Sequence, residues 1–160
     1  MKIKPALKGV ITAAVMVAIF FGIYSAGKDA DSRLQYLVYI TYILGIVWTV
    51  IAYSKSSNFI GKFGDIFNQG FRCFIVVTLV MAVFYGIFNY VHPEFAEETS
   101  KAYREQLIDE KQTLSTDLDS KVATFKKQYV TRLVSGAVFT YLIFGAAVTA
   151  AASAFLIRRK

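Results

Sequence analysis

Apolar residues in this chain are gathered into long runs. Residues 9–26, 34–53 and 133–157 hold no charged side chain, and 71–91 holds only Arg72 near its start. A helix of about 20 apolar residues covers a hydrocarbon layer of about 30 Å. A segment crossing lipid must satisfy its own backbone N–H and C=O groups, so single spans of this kind are helical. The expectation is an all-α fold, an integral membrane four-helix bundle with spans at about 9–26, 34–53, 71–91 and 133–157. The 160 residues form a single membrane domain in this reading. Hydrophobic residues make up 56% of the chain, above the roughly 45–50% of soluble domains.

The net charge is +7. In a soluble chain that balance would suggest nucleic acid. Here Lys and Arg sit beside the apolar runs, the pattern of a protein with a basic cytoplasmic side. The expected partners are membrane lipids and either a second copy of the chain or another membrane protein, with no nucleic acid. Cys73 is the single cysteine and His92 the single histidine. One of each cannot assemble a zinc or haem site of ordinary ligand count, so no metal and no cofactor are expected. Cys73 opens an apolar run, where a buried, inert thiol is the default.

The first run follows a basic start, Lys2, Lys4 and Lys8, and so resembles a signal peptide. The run is longer than most such segments, and Tyr24 puts a large ring where a cleavage site needs a small residue. A retained helix is expected. Within it Ala14, Ala18, Gly22 and Ala26 recur every four residues and share a face. Small residues at that spacing let helices approach closely in lipid. Ala82 and Gly86 repeat the pattern in the third span. In the fourth, Ala146, Ala150 and Ala154 form one stripe, and Gly145, Thr149 and Ser153 an adjacent one. These are the candidate helix-packing residues.

The link at 28–33 is short enough only for a tight connection. The second span carries Tyr36, Tyr39, Tyr42, Trp48 and Tyr53. Tyr36 and Tyr53 fit the aromatic belt of a membrane boundary, whereas Tyr42 and Trp48 lie deeper, where they would pack on a neighbour. Phe59, Phe63, Phe67 and Phe71 then recur every four residues, with Lys62, Asp65, Gln69 and Arg72 on other faces. Two readings stay open for about 58–70: an amphipathic helix lying in the interface, or an early start to the third span.

Pro93 marks a break after that span, because the residue before proline is pushed from helical angles. Residues 94–132 form the long polar segment. Phe95, Tyr103 and Leu107 share one helical face. Leu114, Leu118, Val122, Phe125 and Tyr129 share another. Thr116 with Asp119 resembles a capping box. The segment reads as an extramembrane helical hairpin between spans 3 and 4, its second arm running into the fourth span.

An even number of spans puts both termini on one side. That side holds Lys2, Lys4, Lys8, Lys55, Lys62, Arg72, Arg158, Arg159 and Lys160, with Asp65 the one acid. The other side holds as many basic residues: Lys28, Arg33, Lys101, Arg104, Lys111, Lys121, Lys126, Lys127 and Arg132. Those are interleaved with the remaining acids and lie mostly far from span ends. Short loops close to the spans decide orientation, so both termini are expected in the cytoplasm, in a bacterial inner membrane.

No phosphate-binding glycine loop, G-x-S-x-G, H-E-x-x-H or C-x-x-C occurs. No span has a charge in its middle third, where ion-coupled transporters usually keep one. The expectation is a protein that is not an enzyme: a structural or accessory subunit acting through helix packing and its hairpin. The alternative is a passive channel or small-molecule transporter.

Two strings carry a family resemblance. Phe63-Gly64-Asp65-Ile66-Phe67-Asn68-Gln69-Gly70-Phe71 enters the third span, and Asn89-Tyr90-Val91-His92-Pro93-Glu94-Phe95 leaves it. With the charged stretch that follows and the small-residue last span, the whole chain resembles DUF4199, a family of bacterial membrane proteins of unknown function common in Bacteroidetes. His92 departs from the acidic residue the family places before the proline. The resemblance implies a multi-pass membrane protein and transfers no functional residue.

Overall fold

The computed structural model describes residues 4–27, 32–57, 59–109 and 115–158. Among them are five helices and no strand: α1 (Pro5–Ser25), α2 (Ser32–Ser54), α3 (Phe63–Val91), α4 (Glu94–Asp109) and α5 (Ser115–Arg158). Four stretches are long and apolar enough to cross a membrane: Pro5–Ser25, Tyr36–Ser54, Phe63–Val91 and Asp117–Arg158. The link at 28–31, Leu114 and the basic tail at 159–160 lie outside the described residues, as does the Thr116 side chain.

Each boundary has a local cause. Pro5 takes the first position of α1, where its missing N–H is no loss and its fixed φ suits the helix. Gly27 follows α1 with φ 64°, a left-handed angle that glycine adopts without strain. Gly61, with φ 81°, turns the chain ahead of α3. Pro93 separates α3 from α4. The His92 N–H still donates to the Phe88 carbonyl, at 3.0 Å, and the next helix opens with Glu97 N–H on the Pro93 carbonyl, at 3.2 Å.

The third helix is unbroken from Phe63 to Val91, so Phe63, Phe67 and Phe71 stand on the same helix as the third apolar run. Phe63, Phe67 and Phe71 stack in series along it, and Phe71 meets Phe74 edge-on. Phe59 stands before the helix, against the Tyr53 ring.

The chain divides into two compact units. The first comprises residues up to Met81 together with Val138 onward, and so holds α1, α2, the first part of α3 and the last part of α5. Its core is a layer of Met16, Tyr42, Ile46, Val50, Ile66, Cys73 and Val77, all fully buried. Large apolar side chains also face outward on every helix of this unit, including Val15, Leu44, Leu79 and Ile143.

The second unit comprises Ala82–Ala137. Here α4 lies against the first part of α5 in the opposite direction: Glu97 pairs with Lys126 at 2.8 Å, and Arg104 with Asp119 at 3.0 Å. Ala96, Ser100 and Leu107 are buried on α4 and Leu118 on α5, at helical spacing. Between them the Tyr103 and Phe125 rings stack with centroids 4.4 Å apart. Burial and stacking hold this pair, because exposed ion pairs contribute about 0–1 kcal/mol each.

Phe125→Ala should raise amide exchange across Glu94–Asp109 roughly tenfold, from the loss of stacking and part of the ring's burial. The hydrogen bond from Lys126, and then its charge, hold the Glu97 carboxyl below the usual carboxylate range. A depressed carboxyl contributes stability above its unfolded pKa and loses it as pH falls through the folded value. Protection of α4 should therefore persist to about pH 4.5 and decline only below that. Glu97→Gln should remove that acid-dependent component, as read by hydrogen exchange at stepped pH.

Candidate functional site

Four glycines bring the helices of the first unit into contact. A Cβ on Gly9 of α1 would stand 2.7 Å from the Cys73 carbonyl oxygen of α3. One on Gly45 of α2 would overlap the Thr12 side chain of α1. One on Gly70 of α3 would overlap Thr149 of α5 and stand 3.0 Å from Val50 of α2. One on Gly145 of α5 would overlap the Tyr42 hydroxyl and stand 2.7 Å from the Phe74 ring. Each position leaves no room for a side chain, so a neighbouring helix packs directly onto the glycine backbone there.

Several polar groups in this unit find partners close by. The Tyr42 hydroxyl donates to the Tyr141 carbonyl at 2.7 Å, the bond that ties α2 to α5. Thr49 donates to the Gly45 carbonyl at 2.9 Å and lies 3.3 Å from Cys73 Sγ. Cys73 is buried, as expected of an inert thiol. Thr78 donates to the Phe74 carbonyl. Lys8 is only 8% exposed, and its ammonium sits 5.1 Å from the centre of the Trp48 ring. The lysine stem is buried and its charge rests on a π face.

In the second unit, His92 and Glu94 face each other across Pro93, with Nδ1 2.6 Å from Oε1. The imidazole lies over the Phe88 ring, 4.6 Å between centroids. The Glu94 carboxyl is held below the usual carboxylate range, first by its own backbone N–H and then by the His92 ring. Asn89 donates to the Tyr85 carbonyl at 2.9 Å. Among the described residues, no group of three or more His, Cys, Asp or Glu is placed to hold a metal ion.

A family model described as "Protein of unknown function (DUF4199)" matches residues 8–159. The chain belongs to the DUF4199 family. No curated protein and no solved structure matches it. In this DUF4199 chain the candidate packing residues divide sharply. Gly145, Thr149 and Ser153 are buried, and Ala146 and Ala150 flank them half-buried, while Ala154 is exposed. Gly86 is in ordinary contact with Val134, at 3.9 Å from its would-be Cβ, and Ala82 is half-buried. Ala14, Ala18, Gly22 and Ala26 are all exposed. The face that α1 turns inward is Lys8, Gly9, Thr12, Ala13 and Met16. Sequence reasoning missed Gly9, Gly45 and Gly70. Each is a lone glycine in or at the edge of an apolar helical run, a signal that a close approach by a neighbouring helix explains.

Gly45→Ala and Gly70→Ala should each destabilise the chain by about 1–3 kcal/mol through overpacking. Gly22→Ala and Gly136→Ala, whose surroundings are open within 4 Å, should be neutral or stabilise by up to about 1 kcal/mol. Thr149→Ala should restore much of the loss in Gly70→Ala. Thermal unfolding in mild detergent, followed through Trp48 fluorescence, separates the two groups.

Proposed function

We propose that this chain is a multi-pass protein of a bacterial inner membrane that acts without catalysis, as a structural or accessory subunit. The four long apolar helices are its spans, with both termini in the cytoplasm. The outward apolar side chains of the first unit support that setting, since a bilayer covers such surface and water does not. Helix length supports it too. At 1.5 Å per residue, the 44 residues of α5 run about 66 Å, twice a hydrocarbon layer of about 30 Å. The first part of α5 then stands outside the membrane with α4, as an extracytoplasmic hairpin.

The observation that carries the packing role is the double face of α1. One face, Lys8, Gly9, Thr12, Ala13 and Met16, is used within the chain, and the small-residue face, Ala14, Ala18, Gly22 and Ala26, is left outward. A stripe of that kind accepts a second helix at close range, from another copy or another membrane protein. The passive-channel alternative needs a polar path. Thr12, Thr49 and Thr78 turn their hydroxyls onto their own backbone, which favours packing over conduction.

Native mass measurement and cross-linking in mild detergent test this. The expected result is a dimer or a co-purifying membrane protein, lost in Ala18→Leu with Gly22→Leu while the helical signal is kept. A strict monomer with no companion overturns the reading.

A further inference from the structure

One charged side chain among the described residues is buried. Lys8 is only 8% exposed, whereas the other described Lys and Arg side chains stand exposed. Taking an ammonium out of water is costly unless it is paired. In the second unit the exposed Lys126 and Arg104 have their carboxylates, Glu97 and Asp119. Among the described residues no carboxylate and no hydrogen-bond acceptor meets Lys8. What it has is the π face of Trp48, with Nζ 5.1 Å from the ring centre. An ammonium carries three N–H donors, and a ring face engages it from one direction only. The other donors are left for a ligand.

The packing around Lys8 limits where that ligand can sit. Gly9 lies against the Cys73 carbonyl of α3, and Thr12 lies against Gly45 of α2. The lysine stem is thus enclosed where α1 meets both helices. Trp48 is 44% exposed, so the ring that holds the ammonium also reaches the outer surface. Contact of Lys8 with Trp48 and of Thr12 with Gly45 makes α1 and α2 antiparallel. Ile11 and Val15 follow Lys8 by one and two turns, and Leu44 precedes Trp48 by one turn. All three are exposed, and all lie away from the start of α1. In the other direction stands Lys4, exposed, and the first turn of α1 holds no acid.

The surface beside Lys8 is therefore basic on one side and apolar on the other. A molecule with an anionic head and apolar chains matches both. In the membrane setting proposed above, on which this inference rests, the 21 residues of α1 span about 30 Å. Lys8, one turn inside, then lies near the headgroups, where basic side chains between helices recognise anionic lipids. We propose that Lys8 and Trp48 bind the phosphate of an anionic phospholipid. The ammonium donates to a phosphate oxygen, and an acyl chain lies over Ile11, Val15 and Leu44. The accessory role given above plays no part in this.

Trp48 is the single tryptophan, so its fluorescence reads the site directly. The full chain is reconstituted in mixed vesicles of phosphatidylcholine and phosphatidylglycerol, with brominated acyl chains on one lipid at a time, since bromine quenches an indole at contact range. The expected result is preferential quenching by phosphatidylglycerol, equivalent to a relative affinity of about tenfold, the order of one hydrogen bond between charged groups. Lys8→Met keeps the stem and removes the ammonium, and should bring that ratio to about one. Lys4→Gln removes a charge one turn away and should keep most of the preference. Circular dichroism checks that each variant has folded. If Lys8→Met has not, the natural chain, Lys4→Gln and competition by inorganic phosphate carry the test. Equal quenching by the two lipids in the natural chain overturns the proposal. So does a preference that Lys4→Gln removes, the behaviour of a diffuse basic end, or one that survives in folded Lys8→Met. A preference abolished by millimolar inorganic phosphate at constant ionic strength assigns the site to the free anion and overturns the lipid occupant. No quenching by either lipid overturns the membrane setting itself.

Discussion

Close approach of helix backbones is the constraint on which the first unit depends. In a bilayer, the setting proposed for them, helices gain little from hiding apolar side chains from one another, since the surroundings are equally apolar. They gain from contact area, and contact area grows where a side chain is missing. Gly9, Gly45, Gly70 and Gly145 supply those gaps. What fills each gap is specific: a carbonyl, a threonine, a second threonine, and a tyrosine hydroxyl beside a phenylalanine ring. The Tyr42 bond to Tyr141 is possible only because Gly145 leaves room for the ring to pass. At Tyr42, packing and polar satisfaction are thus one arrangement.

The second unit obeys different physics. On α4, charged residues line the exposed faces and a narrow buried stripe runs through Ala96, Ser100 and Leu107. Its ion pairs are exposed on both sides and act mainly to fix which faces meet. The stacked Tyr103 and Phe125 rings contribute more, because they remove aromatic surface from water.

Length and apolarity made the spans legible in the sequence, and Pro93 made the end of α3 legible. The start of α3 was harder. Lys62, Asp65, Gln69 and Arg72 interrupt the apolar run, and hydropathy therefore favours a boundary near residue 71. The backbone hydrogen-bond ladder has no such boundary, since nothing between Phe63 and Val91 withholds an N–H. The stripes on α1 show a second limit. Periodicity groups residues on a face but does not say which face turns inward. Ala14, Ala18, Gly22 and Ala26 form the more regular pattern, yet the chain buries Gly9, Thr12, Ala13 and Met16. The choice rests on what α2 and α3 present, Gly45 and the Cys73 carbonyl, and no window on α1 alone contains that information. Thr149 and Ser153 were legible as small residues on one stripe. That their buried hydroxyl oxygens lack a hydrogen-bond partner was not, because rotamers follow from neighbours.

The bond from Tyr42 to Tyr141 spans 99 residues of sequence, and this orders events at the ribosome. When α2 leaves the exit tunnel, the carbonyl that will receive the Tyr42 hydroxyl has not been synthesised. The surface around Gly70 is likewise bare of Thr149 until the last helix emerges. The first three helices of the unit thus wait, with a buried hydroxyl and a backbone groove uncovered, through translation of the entire polar segment. Truncation anywhere before α5 would leave them in that waiting state. The final helix is therefore the closing piece of the unit.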